Sequence, residues 1–153
     1  MFDSLNTKII ALSVDKISDH IKWIEDINET QKTEVTFPII DDSELKVSNL
    51  YGMIHPEYST TMTVRSVFII DPLKKVRLTL TYPASTGRNF NEIIRIMHSL
   101  QLTDKHALAT PVNWKKGDKS IVIPALTTED AQKVFENIDI VKPYLRYVET
   151  PTC

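Results

Sequence analysis

Ser66-Val67-Phe68-Ile69-Ile70-Asp71-Pro72-Leu73-Lys74-Lys75-Val76-Arg77-Leu78-Thr79-Leu80-Thr81-Tyr82 reads as a β-hairpin. Its first arm, Ser66–Ile70, is continuously apolar, its second alternates as an edge strand does, and Asp71-Pro72 supplies the turn. The chain then runs through Tyr82-Pro83-Ala84-Ser85-Thr86-Gly87-Arg88-Asn89-Phe90 into a helix. Asn89 with Glu92 three residues on has the capping-box spacing, and Phe90, Ile93, Ile94, Met97 and Leu100 form one helical face. This corner delivers Arg88 to a helix start. Free N–H groups and a permanent positive charge there favour an anion, a thiolate, phosphate or carboxylate. The plainer alternative is that Arg88 pairs with a carboxylate of the first turn, such as Glu92.

Upstream, Lys8-Ile9-Ile10-Ala11-Leu12-Ser13-Val14 has the nearly continuous apolar pattern of a strand covered on both faces in a parallel sheet, so neighbours are expected on each side. Ile17, Ile21, Ile24 and Asn28, widened by Ile27, fall at helical spacing. They predict a helix from about 16 to 29 that packs on that sheet and an α/β layout. From Glu29 to Arg65 the pattern is broken by Pro38, Asp41-Asp42-Ser43, Gly52 and Pro56 around a short helix near 43 to 50. Thr103 to Pro111 lacks periodicity, and we divide the chain there into residues 1–103 and 104–153. In the tail, Ser120–Pro124 reads as a strand, and Thr127-Thr128-Glu129-Asp130 caps a helix containing Ala131, Val134 and Phe135. A tail this short, with little core of its own, is expected to pack on the body or on a second copy.

The 153 residues suit one domain with a small appendage, and 42% hydrophobic with 25% charged residues is ordinary for a globular protein. A net charge of −2 gives no general attraction for nucleic acid or anionic membranes. No segment approaches the length that spans a bilayer, and the N-terminus lacks a signal-peptide pattern. The only cysteine is Cys153, which excludes an internal disulfide and a cysteine-based zinc cluster and suits a reducing compartment, by default the cytoplasm. Cys153 follows Pro151-Thr152 at a terminus and lacks a helix start to activate it as a nucleophile. His20, His55, His98 and His106 lack metal-site spacing, so neither metal nor other cofactor is expected. Trp114 reads as an anchor for the tail rather than a ligand platform.

Three collinear motifs carry a resemblance over essentially the whole chain. They are Tyr82 to Phe90, Ser99-Leu100-Gln101-Leu102-Thr103, and Ala109-Thr110-Pro111-Val112-Asn113-Trp114-Lys115-Lys116-Gly117-Asp118. Together with Lys8–Asp15, Phe37–Asp42, Val64–Phe68 and Tyr144-Leu145-Arg146-Tyr147, they resemble the 1-Cys peroxiredoxins of the peroxiredoxin 6 type. The resemblance implies a thioredoxin-like fold with a C-terminal extension that takes part in dimer formation. It also implies a thiol-dependent peroxidase acting on hydrogen peroxide and organic hydroperoxides with an external thiol reductant, in antioxidant defence. Arg88 would contact both the cysteine sulfur and the peroxide, and the loop holding Tyr51, Met53 and His55 would lie near the peroxide pocket, where simple loop packing is the favoured role. Members carry a Pro-x-x-x-Thr-x-x-Cys segment upstream of the Lys8 strand, preceded by a strand central to the sheet, between the Lys8–Val14 and Ser66–Ile70 strands. This sequence contains neither, so the fold is expected to be incomplete, with the peroxidatic cysteine absent, and the chain inactive alone. Phe2 and Leu5 read as the last turn of the helix that bears that cysteine. The phospholipase activity of some members rests on a serine motif in the same N-terminal part and does not carry over. The alternative is a cysteine-less partner or regulator of intact peroxiredoxins.

Overall fold

A computed structural model describes residues 1–151; Cys153 lies outside the described residues. The chain divides into two compact units, Met1–Arg88 and a second beginning at Asn89.

In the first unit, a 3-10 turn at Asp3–Leu5 buries Leu5. Strand β1 (Ala11–Ser13), helix α1 (Ile17–Gln31), strand β2 (Ile39–Asp41), helix α2 (Lys46–Leu50), and strands β3 (Arg65–Ile70) and β4 (Val76–Tyr82) follow. β1 and β2 pair in parallel, with Ala11 opposite Ile39 and Ser13 opposite Asp41. β2 is a strand that sequence pattern did not separate from the loop around it, because three residues behind Pro38 carry no period. β3 and β4 form the expected antiparallel hairpin, from Arg65 opposite Tyr82 to Ile69 opposite Leu78, with an irregularity between Ile69 and Ile70. The two pairs are separate sheets, so β1 and β3 each have one strand neighbour among the described residues.

α1 is turned relative to the expected stripe. His20 is buried and Ile24, Ile27 and Asn28 are half-buried, whereas Ile17 and Ile21 are 61% and 54% exposed. The register is set at the helix start, where Asp41 Oδ2 on β2 accepts from the Ile17 N–H at 3.0 Å. Asp42 beside it is buried and caps α2, accepting from Val47 N–H at 2.9 Å and Ser48 N–H at 2.7 Å. Burial would raise the Asp42 pKa, but the nearby Ser48 hydroxyl and the Val47 and Ser48 N–H groups outweigh it and hold the carboxyl below the ordinary range. The hydroxyl stands close to the carboxylate without completing a geometric hydrogen bond. Asp42→Ala orphans two amides and is expected to cost about 2 kcal/mol. A depressed folded-state pKa contributes stability that is complete above the unfolded value, about 3.9, and is lost as pH falls through the folded value. Denaturant titrations at pH 5 and pH 3 should therefore show a smaller acid-induced loss in Asp42→Ala than in the parent.

The second unit opens with helix α3 (Phe90–Lys105), followed by strands β5 (Leu108–Ala109) and β6 (Ser120–Val122), helix α4 (Thr128–Val134), and strands β7 (Asp139–Lys142) and β8 (Leu145–Val148). Asn89 caps α3 as expected, its side chain accepting from Glu92 N–H at 3.2 Å, and Thr127 caps α4 through Asp130 N–H at 3.1 Å. The tail holds more than the one strand and helix read from sequence. It forms a four-stranded antiparallel sheet in the order β5-β6-β8-β7, whose two- to four-residue strands are too short to show a period. Nor is the tail short of core. Leu108, Trp114, Val122, Ala131, Phe135 and Val148 cluster with Leu102 of α3, all buried. Arg146, 2% exposed, ties β8 to its surroundings by donating to Thr128 Oγ1 at 3.2 Å and Ile123 O at 3.0 Å.

Candidate active site

The hairpin's second strand ends at Tyr82, and the chain turns through Pro83–Thr86, where Thr86 N–H donates to Pro83 O at 2.9 Å. Arg65, at the start of β3 and opposite Tyr82 in the ladder, donates from Nη1 to Thr86 O at 3.1 Å. One guanidinium thus pins the corner from which the next projects. Arg88 follows two residues later, exposed overall, yet partial burial of its guanidinium and then the Arg65 charge pull its pKa down, with Tyr82 opposing.

The physical content is a pair of like charges held near one another. Among the described residues no carboxylate lies within ion-pair distance of Arg65 or Arg88. Two neighbouring cations without a counter-charge repel, and an anion between or beside them relieves that repulsion. The Glu92 alternative for Arg88 does not describe this structure. Glu92 makes a two-point contact with Arg95, Nε to Oε2 at 2.6 Å and Nη2 to Oε1 at 2.8 Å. That pair lowers the Glu92 pKa and raises that of Arg95, each chiefly through the side-chain hydrogen bond. Arg65 is the residue of this corner that sequence reasoning passed over. Its signal was available, since a cation opening an apolar strand across from the residue that begins the Tyr82 motif must sit at that corner.

The other candidates separate. Tyr51 packs edge-on against Phe68 of β3, ring centroids 5.0 Å apart, and Met53 is buried with its carbonyl bonded to Val64 N–H at 3.0 Å. His55 O closes a turn by accepting from Tyr58 and Ser59 N–H, so this loop packs as loops do. His20 is buried with neither ring nitrogen hydrogen-bonded, and the His98 pKa is lowered by burial and then by Lys116. Among the described residues no group of three or more His, Cys, Asp or Glu side chains could hold a metal ion, and no helix is long and apolar enough to cross a membrane. Trp114 is 2% exposed, with Nε1 donating to Asp118 O at 3.0 Å, which makes it a core anchor.

Comparison with known proteins places these features in a lineage. Residues 1–79 match the AhpC/TSA family, and residues 99–137 match the C-terminal domain of 1-Cys peroxiredoxin. The 1-Cys peroxiredoxin of Dictyostelium discoideum is 54% identical over 98% of this chain and 63% of that protein. Mitochondrial peroxiredoxin PRX1 of Saccharomyces cerevisiae is 44% identical over 97% of this chain and 60% of its own length, and human peroxiredoxin-6 is 43% identical over 98% and 73%. The chain therefore spans under two thirds of the first two relatives. Among solved structures, a peroxiredoxin 6 variant from Arenicola marina superposes with a TM-score of 0.92 at 40% identity, covering 99% of this chain and 74% of that one. A yeast mitochondrial 1-Cys peroxiredoxin, described with a thiol-resolving mechanism via glutathione and thioredoxin systems, superposes at 0.91 with 43% identity, covering 97% and 73%.

Proposed function

We propose, from the premise that this chain belongs to the 1-Cys peroxiredoxins of the AhpC/TSA family and has their thioredoxin-like α/β fold, that its Arg65–Arg88 corner is the charge-stabilising part of a thiol peroxidase site. The observation that carries the reading is the uncompensated guanidinium pair. In the reaction, a cysteine thiolate attacks one peroxide oxygen, the S–O bond forms as the O–O bond breaks, and the departing oxygen carries a negative charge until protonated to water or an alcohol. The resulting sulfenic acid returns to thiol when an external thiol reductant supplies two electrons, releasing water. Arg88 holds the thiolate and the departing oxygen, and Arg65 positions the corner and adds to its potential. The reductants of the yeast relative, the glutathione and thioredoxin systems, indicate the class that serves here.

The nucleophile is supplied by a Pro-x-x-x-Thr-x-x-Cys segment of the kind the family carries, and not by Cys153. We place the functional boundary between the thioredoxin-like part and the extension at residues 103 and 104, with the extension serving a homodimer, and the working protein in the reducing cytoplasm. In a chimera with that segment joined ahead of Met1, Arg88→Ala is expected to slow thiolate oxidation about 10²-fold or more, and Arg65→Ala about tenfold. Stopped-flow fluorescence with hydrogen peroxide reads both rates. Unchanged rates in Arg88→Ala, with circular dichroism intact, would remove the assignment.

A further inference from the structure

The turn that follows β4 presents hydroxyl groups beside the two cations. Residues 85–88 are all exposed, and Ser85 and Thr86 are among them. Thr86 is the residue to which the charges converge. Its carbonyl accepts from Arg65 Nη1 at 3.1 Å, and its N–H closes the turn on Pro83 O at 2.9 Å. The backbone of Thr86 is thus held on both sides, while no hydrogen bond among the described residues engages its hydroxyl. Arg88 lies two residues on, close enough to Arg65 for the charge of one to act on the other. Other hydroxyls lack this setting. The exposed Thr127 donates to the Asp130 carboxylate at 2.9 Å, and the exposed Thr30 donates to Asp26 O within its own helix at 2.6 Å.

A phosphate on the Thr86 hydroxyl would carry a charge of about −1.5 to −2 near pH 7 and three strong acceptor oxygens. It would stand within one side chain's reach of a guanidinium already bonded to the same residue. Arginine pairs with phosphate through two parallel N–H donors, so Arg65 and Arg88 can each take phosphate oxygens and lose their mutual repulsion. Among the described residues no carboxylate lies within ion-pair distance of either arginine to compete for them or to repel the phosphate. At Thr127 the same modification would meet Asp130 and Glu129 instead.

We propose that Thr86 is a phosphorylation site whose phosphate is captured by Arg65 and Arg88, withdrawing both guanidiniums from any other anion. In the transfer, Thr86 Oγ1 bonds to the γ-phosphorus of ATP, the bond from that phosphorus to the departing ADP breaks, and the hydroxyl proton is released. Capture does not depend on the peroxidase reading; its consequence, a silenced peroxidase, rests on it. Incubated with MgATP and a protein kinase that reads an arginine C-terminal to its acceptor, the 153-residue chain is expected to gain one phosphate on Thr86, located by mass spectrometry and absent in Thr86→Ala. Capture is read by phosphorus NMR on chains synthesised with phosphothreonine at Thr86. Nearby cations favour the dianion, so its second ionisation is expected below about pH 5, returning to about pH 6 in the Arg65→Ala/Arg88→Ala chain. In the chimera, phosphorylation at Thr86 is expected to slow thiolate oxidation about 10²-fold, as Arg88→Ala does. A low ionisation together with an Arg88→Ala chimera of unchanged rate would sink the peroxidase reading and leave the capture standing. The proposal itself is overturned by no phosphate on Thr86 after kinase treatment, or by an ionisation that the double substitution does not move. A phosphorylated chimera that stays fast where Arg88→Ala is slow would overturn it as well.

Discussion

Incubated with hydrogen peroxide and a thiol reductant, the 153-residue chain is expected to give no turnover above that of a free thiol, and the chimera carrying the Pro-x-x-x-Thr-x-x-Cys segment is expected to exceed it by about 10³–10⁴-fold. Two contributions set that size. A cysteine of ordinary pKa, about 8.5, is roughly 3% thiolate at pH 7, whereas one lowered to about 6 is mostly ionised, a gain of about 30-fold. Fixed donors at the departing oxygen add about 10²–10³-fold. On the proposed reading Arg88 and Arg65 supply both, and no carboxylate among the described residues lies within ion-pair distance of either. The chain's own thiol is Cys153, and Cys153→Ser should leave the chimera's rate unchanged. Robust turnover by the chain as written, abolished in Cys153→Ser, would transfer the nucleophile's role to that residue.

Legibility in the sequence followed the length of each element. The β3–β4 hairpin strands, α1 and α3 span six to sixteen residues and show their period, so their existence and type could be read directly. β6 reads as a strand despite its three residues, whereas β2 and β5, of three and two residues, owe their conformation to ladder partners elsewhere in the chain, as Leu108 does to Val122. Local pattern carries nothing of that. α1 shows the subtler failure. Its apolar spacing predicted Ile17 and Ile21 facing inward, but the Asp41 cap at Ile17 and the burial of His20 turn the helix. Arg88 was legible from its motif, while Arg65 required the ladder that sets it across from Tyr82 and the 3.1 Å bond to Thr86 that pins the corner. The tail's core was missed because its members, from Leu102 to Val148, are spread over five elements and the loop that holds Trp114.

Trp114 makes that last point measurable. It is 2% exposed, belongs to the cluster with Leu102, Leu108, Val122, Ala131, Phe135 and Val148, and closes its own loop through Nε1 to Asp118 O. Lys115 N–H also donates to Asp118 Oδ2 at 2.8 Å, so the indole packs over a loop already drawn tight. Trp114→Ala removes the largest side chain of the cluster and leaves a cavity that short strands cannot easily collapse to fill. Its cost is expected at about 3–5 kcal/mol. For a unit of this size each kcal/mol moves the midpoint by roughly 4–8 °C, so a fall of more than about 12 °C follows. Trp114→Phe keeps most of the apolar volume and loses the Nε1 bond, which limits its cost to about 1–2 kcal/mol. Thermal unfolding followed by near-ultraviolet circular dichroism separates the two variants. The second tryptophan provides the control, since Trp23 is 53% exposed and open to acrylamide, whereas Trp114 is shielded until the unit unfolds. Equal quenching of both tryptophans in the folded parent, or a shift below about 5 °C in Trp114→Ala, would mean that this ring does not hold the tail's core together.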